Sequence, residues 1–137
     1  MTDSVSKAER SRIMSRIHGR DTKPELVVRS LVHRMGYRFR LHRADLPGKP
    51  DLVLPRHRKV IFVHGCFWHG HEGCARSRRP SSNVSFWSRK LDGNIARDAR
   101  LERELKLADW RVLIVWECET WEPGKLGRRL RRFLGKD

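Results

Sequence analysis

Val60-Ile61-Phe62-Val63-His64-Gly65-Cys66-Phe67-Trp68-His69 is the stretch that sets the architecture. Four apolar residues in a row, three of them β-branched, follow a polar turn at 55–58 and are typical of a strand covered on both faces. The run stops at His64 and so delivers an imidazole to the following loop. That loop, residues 65–82, is Gly- and His-rich and too long to be a simple connector, which points to a functional site whose order a bound metal would explain.

Working upstream, Asp51 to Leu54 reads as a strand restarting after the turn Leu46-Pro47-Gly48-Lys49-Pro50, and Tyr37 to His42 alternates as a half-buried strand does. Asp21 or Thr22 caps a helix with Pro24 in its first turn, and Leu26, Val27, Ser30, Leu31 and Met35 form a stripe that ends at Gly36. Ser6 to Ile17 reads as a short basic helix, or as an arm that orders on a partner. Downstream, a helical pattern runs from about Asn83 through Leu91, Ile95, Leu101, Leu105 and Ala108, with Gly93 as a kink point, and covers one face of the sheet. Val112 to Trp116 is a second buried strand. Pro123 opens a basic helix with Leu126, Leu130, Phe133 and Leu134 on its apolar stripe. The sum is an α/β fold, a mixed central β-sheet flanked by helices, in a single domain over 21–137 preceded by an arm over 1–20.

The 137 residues suffice for one core without disulfides, and three cysteines cannot pair off. No apolar run is long enough to span a bilayer. Residues 1–20 are polar and carry Asp3 and Glu9, unlike a secretory signal or transit peptide, so the expected compartment is the cytoplasm. Thirty-one Lys and Arg against sixteen Asp and Glu give a formal charge of +15, which suits a polyanion. The excess is clustered: residues 75–91 hold Arg76, Arg78, Arg79, Arg89 and Lys90 with no acid, and Phe86 and Trp87 stand among them. Basic residues interleaved with aromatics fit phosphate contact plus base stacking better than mere solubility.

Cys66, His71 and Cys74 lie within nine residues, close enough to share one metal. Cys118, just past the strand 112–116, can be brought beside them by sheet pairing and complete a Cys3His tetrahedron, a closed set that marks a structural zinc. Asp51 and His64 fall at neighbouring strand ends and make a cradle for a divalent cation and a phosphate, with Glu25 as a second carboxylate near the metal's water shell. Each also has a plainer use, as a turn residue, a strand-end hydrogen bonder and a helix-dipole partner. Phe67 and Trp68 either wedge between base steps or form a lid over the zinc loop, and Trp87 poses the same choice.

Those residues also carry a resemblance. Pro47 to Asp51, Val60 to His69, Phe86-Trp87 and Val112-Leu113-Ile114-Val115-Trp116-Glu117-Cys118 are similar to the very-short-patch repair (Vsr) endonucleases, which nick beside the thymine of a T:G mismatch. The likeness runs from about Lys7 to the last helix. It implies a restriction-endonuclease-like fold acting on mismatched duplex DNA, with Mg²⁺ held by Asp51 and the Val63 backbone carbonyl; separately, the chain is read as a monomer. It further implies His69 as general base, His64 assisting at the phosphate, Glu25 on the outer hydration shell, and Cys66, His71, Cys74 and Cys118 on zinc. Phe67, Trp68 and Trp87 match intercalating aromatics, Met14 a contact from the opposite groove, and Lys90 and Asn94 positions that address the mismatched pair. Two departures stand out: position 63, usually threonine, is valine, and His69-Gly70-His71-Glu72-Gly73-Cys74 is thinner in histidine and one residue longer before its second cysteine. The competing readings are a non-catalytic zinc-stabilised DNA-binding module and a restriction endonuclease that cuts fully paired DNA.

Overall fold

The structure is a computed structural model that describes residues 21–135. The expected N-terminal helix, with Met14, lies outside the described residues. Within them, helix α1 (Lys23–Arg34) leads to β1 (Arg40–Leu41), β2 (Leu52–Leu54) and β3 (Lys59–His64), then α2 (Val84–Leu107), β4 (Arg111–Trp116) and α3 (Pro123–Leu134). The sheet order is β1-β2-β3-β4; the first two pairings are antiparallel, and β3 with β4 is parallel. This is the mixed sheet expected, with α2 as the β3-to-β4 crossover.

Side-chain alternation sorts the strands onto two layers. Leu52, Leu54, Ile61 and Val115 pack with Val28 and Val32 of α1 and with Leu126, Leu130 and Leu134 of α3. Val53, Val60 and Phe62 face the other way, onto Leu105 and Trp110. His64 shares the α2 face with Phe62, and its register partner on β4 is Trp116. The site therefore forms at the end of β3 that faces α2.

Thr22 caps α1, its hydroxyl accepting the Glu25 N–H at 3.4 Å, and Pro24 stands in the first turn. The buried face differs from the expected one: Glu25, Val28 and Val32 point inward and Leu26 is exposed, because a carboxylate occupies the position that an apolar count would skip. The segment 37–42 is a strand only at Arg40–Leu41, although Tyr37 and Phe39 do pack on the core. Helix α2 passes Gly93 without a break, and Ile95 is largely exposed rather than packed under the sheet. β4 is an edge strand with Val115 alone fully buried, a correction to the doubly covered strand its apolar run suggested. At the start of β3 the buried Lys59 donates from Nζ to the Leu134 carbonyl at 3.1 Å, placing a cation at the C-terminus of α3.

Candidate active site and metal centre

Two groups of polar side chains flank the end of β3. In the first, the Asp51 Oδ2 accepts the Val63 N–H at 2.7 Å, which fixes the carboxylate against the strand edge. In extended chain a residue's N–H and C=O point to the same edge, so the Val63 carbonyl faces that side too. His42 Nε2 lies 2.7 Å from Glu25 Oε2 and 3.8 Å from Asp51 Oδ1, and Arg29 pairs with Glu25 and Asp21. Burial first, and then the neighbouring Glu25, push the Asp51 carboxyl up to about 7, against the opposing effect of the Val63 N–H. A buried acid held this high beside a second acid is a place that gains from a cation.

In the second group His64 and His69 stack with ring centroids 3.8 Å apart and planes 8° from parallel. His69 Nδ1 is 2.6 Å from Asp98 Oδ2 on α2. A carboxylate at that distance holds Nδ1 as the N–H donor and leaves Nε2 with its lone pair. Burial, and then the neighbouring His69, push His64 down to about 3, so its imidazole is neutral at ordinary pH.

The loop that carries His69 also builds the cysteine cluster. Gly70 has φ +62°, and a Cβ there would fall 2.5 Å from Ile95 Cδ1, so a larger residue would strain the backbone and force the Ile95 side chain to shift. The turn sends His69 toward Asp98 and His71 toward the cysteines. Cys66, His71, Cys74 and Cys118 offer one ligand atom each, all within 4.8 Å of one another. Cys118 Sγ to His71 Nδ1 is 3.5 Å; zinc bonds of about 2.3 Å to sulfur and 2.05 Å to nitrogen at a tetrahedral angle require about 3.6 Å. The donor set fits zinc. Burial pushes the Cys66 thiol up to about 12, a cost that a coordinated dication removes by taking the thiolate.

Cys118 reaches this cluster from the end of the neighbouring strand by the sheet pairing expected, and that pairing of β3 with β4 is parallel. Its turn, Glu117–Trp121, is held by Glu119, which accepts the Trp116 N–H at 2.9 Å and takes Arg129 of α3 through both oxygens at 2.7 and 2.9 Å. The Cys66 N–H donates to Glu117 Oε1 at 3.3 Å and joins the two ligand-bearing turns. The indole of Trp116 stacks on His71 (4.2 Å, 10°) and meets His64 edge-on (5.4 Å), so one ring lies between the cysteine cluster and the histidine pair.

A family model described as DNA mismatch endonuclease Vsr matches residues 2–76. The type II nicking enzyme V.XorIIP of Xanthomonas oryzae pv. oryzae is 52% identical over 134 residues, 98% of each chain. The DNA mismatch endonuclease Vsr of Escherichia coli is 46% identical over 118 residues, 86% of this chain and 75% of that one. This chain belongs to the Vsr family. The type II nicking enzyme V.NmeAIP of Neisseria meningitidis, 40% identical over 134 residues, covers 98% of this chain and 95% of its own.

On this Vsr-family scaffold the aromatic residues form a group of their own. Phe67 meets Trp68 at 5.1 Å and Trp87 at 5.5 Å, edge to face, and Trp68 and Trp87 lie 6.0 Å apart. All three rings are half-buried, and Phe86 beside them is 59% exposed. Asn94 on α2 donates from Nδ2 to the Trp68 carbonyl at 3.0 Å, while Lys90 is exposed one turn earlier. His42, Asp98 and Arg29 went unnoticed in the sequence. His42 adopts a left-handed backbone (φ 48°), which costs a non-glycine residue about 1 kcal/mol and leaves no mark in residue type. Asp98 looks like an ordinary exposed acid of a charged helix.

Proposed function

We propose that this chain is a Mg²⁺-dependent DNA endonuclease that nicks one strand beside the thymine of a T:G mismatch and so initiates short-patch repair, with zinc as a structural ion. The observation that carries the reading is the Asp51 carboxylate held by the Val63 N–H at 2.7 Å on the strand edge, with the stacked His64 and His69, the latter bound to Asp98, where that strand ends. Asp51 and the Val63 carbonyl would hold the Mg²⁺, with Glu25 serving the hydration shell through the acid cluster. Bound there, the ion supplies charge to the scissile phosphate and the leaving oxygen. His69 takes the proton of the attacking water at Nε2, and Asp98 stabilises the imidazolium that results. His64, neutral and stacked on His69, orients that ring and offers a hydrogen bond to the phosphate. Losing the usual threonine hydroxyl at Val63 leaves these contacts intact, since they use backbone.

The enzyme would act as a monomer in the cytoplasm. Among the described residues no helix is long and apolar enough to cross a membrane. The basic stretch from Arg76 to Lys90 would take the phosphates, with Phe67, Trp68 and Trp87 wedging beside the mismatch and Lys90 and Asn94 near the mismatched pair. The test is nicking of duplexes that differ in a single pair, T:G or T:A, with and without Mg²⁺. Equal cutting of both duplexes would favour a restriction-type nuclease, and binding without cutting a DNA-binding module.

Three outcomes follow from the geometry. Unstacking is cheaper where pairing is weak, so Trp68→Ala should lose about 10-fold in affinity for the T:G duplex and little for the paired one, read by binding titrations at one salt concentration. An unchanged affinity ratio would return the ring to loop packing. One zinc per chain should co-purify; Cys118→Ser should lose most of it and unfold at lower temperature, because structural zinc binding is folding free energy. Elemental analysis decides this.

The third concerns pH. Between about 4, the usual carboxyl range, and 7 the folded chain keeps an Asp51 proton that the unfolded chain releases, so without metal stability falls as pH rises through that window. Mg²⁺ answers the exposed charge. Its increment to the melting temperature should therefore be several degrees at pH 8 and near nil at pH 5.5, measured by thermal unfolding.

A further inference from the structure

We propose that His64, His69 and Asp98 form a second metal site, one that takes a first-row transition ion such as Ni²⁺ or Zn²⁺ and shuts the nuclease off. Its inhibitory half rests on the functional reading above; the binding half does not. The three side chains come from three elements, the end of β3, the zinc loop and α2, and each offers a ligand atom within 4.8 Å of the other two. The two imidazoles lie face to face at 3.8 Å, so their nitrogens are close neighbours, and an ion shared by both requires the stack to splay. Metal bonds of about 2.0–2.2 Å to nitrogen and oxygen place neighbouring ligand atoms about 3 Å apart. His69 Nδ1 and Asp98 Oδ2, now 2.6 Å apart, need only open by a few tenths of an ångström as the ion replaces the shared proton.

The donor set decides which ion. Two imidazoles and one carboxylate with open positions suit Ni²⁺, Zn²⁺ and Fe²⁺, whereas Mg²⁺ wants oxygen on nearly every position and would find one carboxylate here. Space for the remaining waters is present: a cavity of about 450 Å³ is lined by His64, His69 and Asp98, and Glu72 and Glu102 on its wall favour a cation. The acid cluster across β3 is a poorer competitor. Asp21, Glu25 and His42 also converge within 4.8 Å, but the Arg29 guanidinium already pairs with both carboxylates and supplies the positive charge. The cysteine cluster is separate, since its histidine is His71 and the Trp116 indole stands between His71 and His64.

An ion held between His69 Nδ1 and Asp98 puts the ring proton on Nε2, the atom that would have to accept the water's proton, and breaks the hydrogen bond to Asp98. Nicking stops while phosphate and base contacts remain. No redox change is involved: the ring proton of His69 moves from Nδ1 to Nε2, and the ion gives up one bound water for each protein ligand it gains.

The experiment uses untagged protein as purified and Ni²⁺ as the probe, titrated calorimetrically without DNA or Mg²⁺, with zinc content followed throughout. One equivalent of Ni²⁺ is expected to bind without releasing zinc. His64→Ala and the near-isosteric Asp98→Asn should each weaken it by about 10–100-fold, with circular dichroism checking that both fold, and Asp51→Asn should leave it unchanged. In Mg²⁺ with a T:G duplex, one equivalent of Ni²⁺ should suppress parental nicking and a chelator should restore it. Absence of the bound equivalent, its survival in both variants, its loss in Asp51→Asn, or full nicking by Ni²⁺-saturated protein would each overturn the proposal. Failure of parental nicking in Mg²⁺ alone would count against the nuclease reading instead, and the calorimetric result is independent of it.

Discussion

Asp51→Ala is expected to lower single-turnover nicking of a T:G duplex by about 10³-fold or more while leaving DNA affinity within a few-fold of the parent. The carboxylate would be the hard anionic ligand beside the Val63 carbonyl, and its Oδ2 is already aligned by the Val63 N–H at 2.7 Å. DNA affinity draws on other residues, the Lys and Arg excess behind the +15 charge and the Phe67, Trp68 and Trp87 rings, none of which needs the metal. Asp51→Asn sharpens the test. It keeps the shape and an oxygen for the Val63 N–H, yet removes the charge that sits against Glu25. Without Mg²⁺ at pH 8 it should therefore melt above the parent while nicking no better than Asp51→Ala, a gain in stability at the expense of function. Near-parental cleavage by either variant in Mg²⁺ would overturn the active site. Joint loss of binding and zinc in Asp51→Ala would show misfolding, which Asp51→Asn is designed to avoid.

The parts of this molecule that were legible in sequence are those where residue type and period carry the information. The Val60–Val63 run is typical of a covered strand, and it is one; Pro123 with Leu126, Leu130 and Leu134 described α3 to its last turn. The convergence of Cys118 on Cys66, His71 and Cys74 was legible because parallel pairing of two apolar strands brings their ends together. What was not legible depends on backbone geometry and long-range approach. The inward turn of Glu25 follows from its partners Arg29 and His42, the first on its own helix and the second on the far side of the 35–37 turn. The alternation over 37–42 makes His42 one more strand residue, whereas the strand ends at Leu41 and a left-handed residue swings the ring to Glu25 and Asp51. The edge position of β4 escaped notice because an apolar run reports burial of some kind without saying how many faces are covered. For Phe67 and Trp68 the sequence left wedge and lid open, and their ring contacts with Trp87 join loop to α2 in a patch that includes the exposed Phe86.

Asp98 is the residue whose placement most changes what His69 can be asked to do. A histidine acting as general base needs the right tautomer as well as position, and the 2.6 Å contact from Nδ1 to Asp98 Oδ2 supplies both. His69→Ala should then reduce single-turnover nicking by about 10²–10⁴-fold, the usual range for a lost general base, with DNA affinity and zinc content unchanged. Asp98→Asn should fall in the same direction by about 10²-fold, for a different reason: its amide can donate to Nδ1 and so move the ring proton to Nε2, the atom that has to accept. The two variants differ in what they remove: His69→Ala takes away the base itself, whereas Asp98→Asn keeps the imidazole but no longer stabilises the imidazolium by a carboxylate. Parental rates in Asp98→Asn at every pH would reduce the Asp98 contact to helix-to-loop packing, and His69→Ala alone would then remain as the test of which side chain takes the proton.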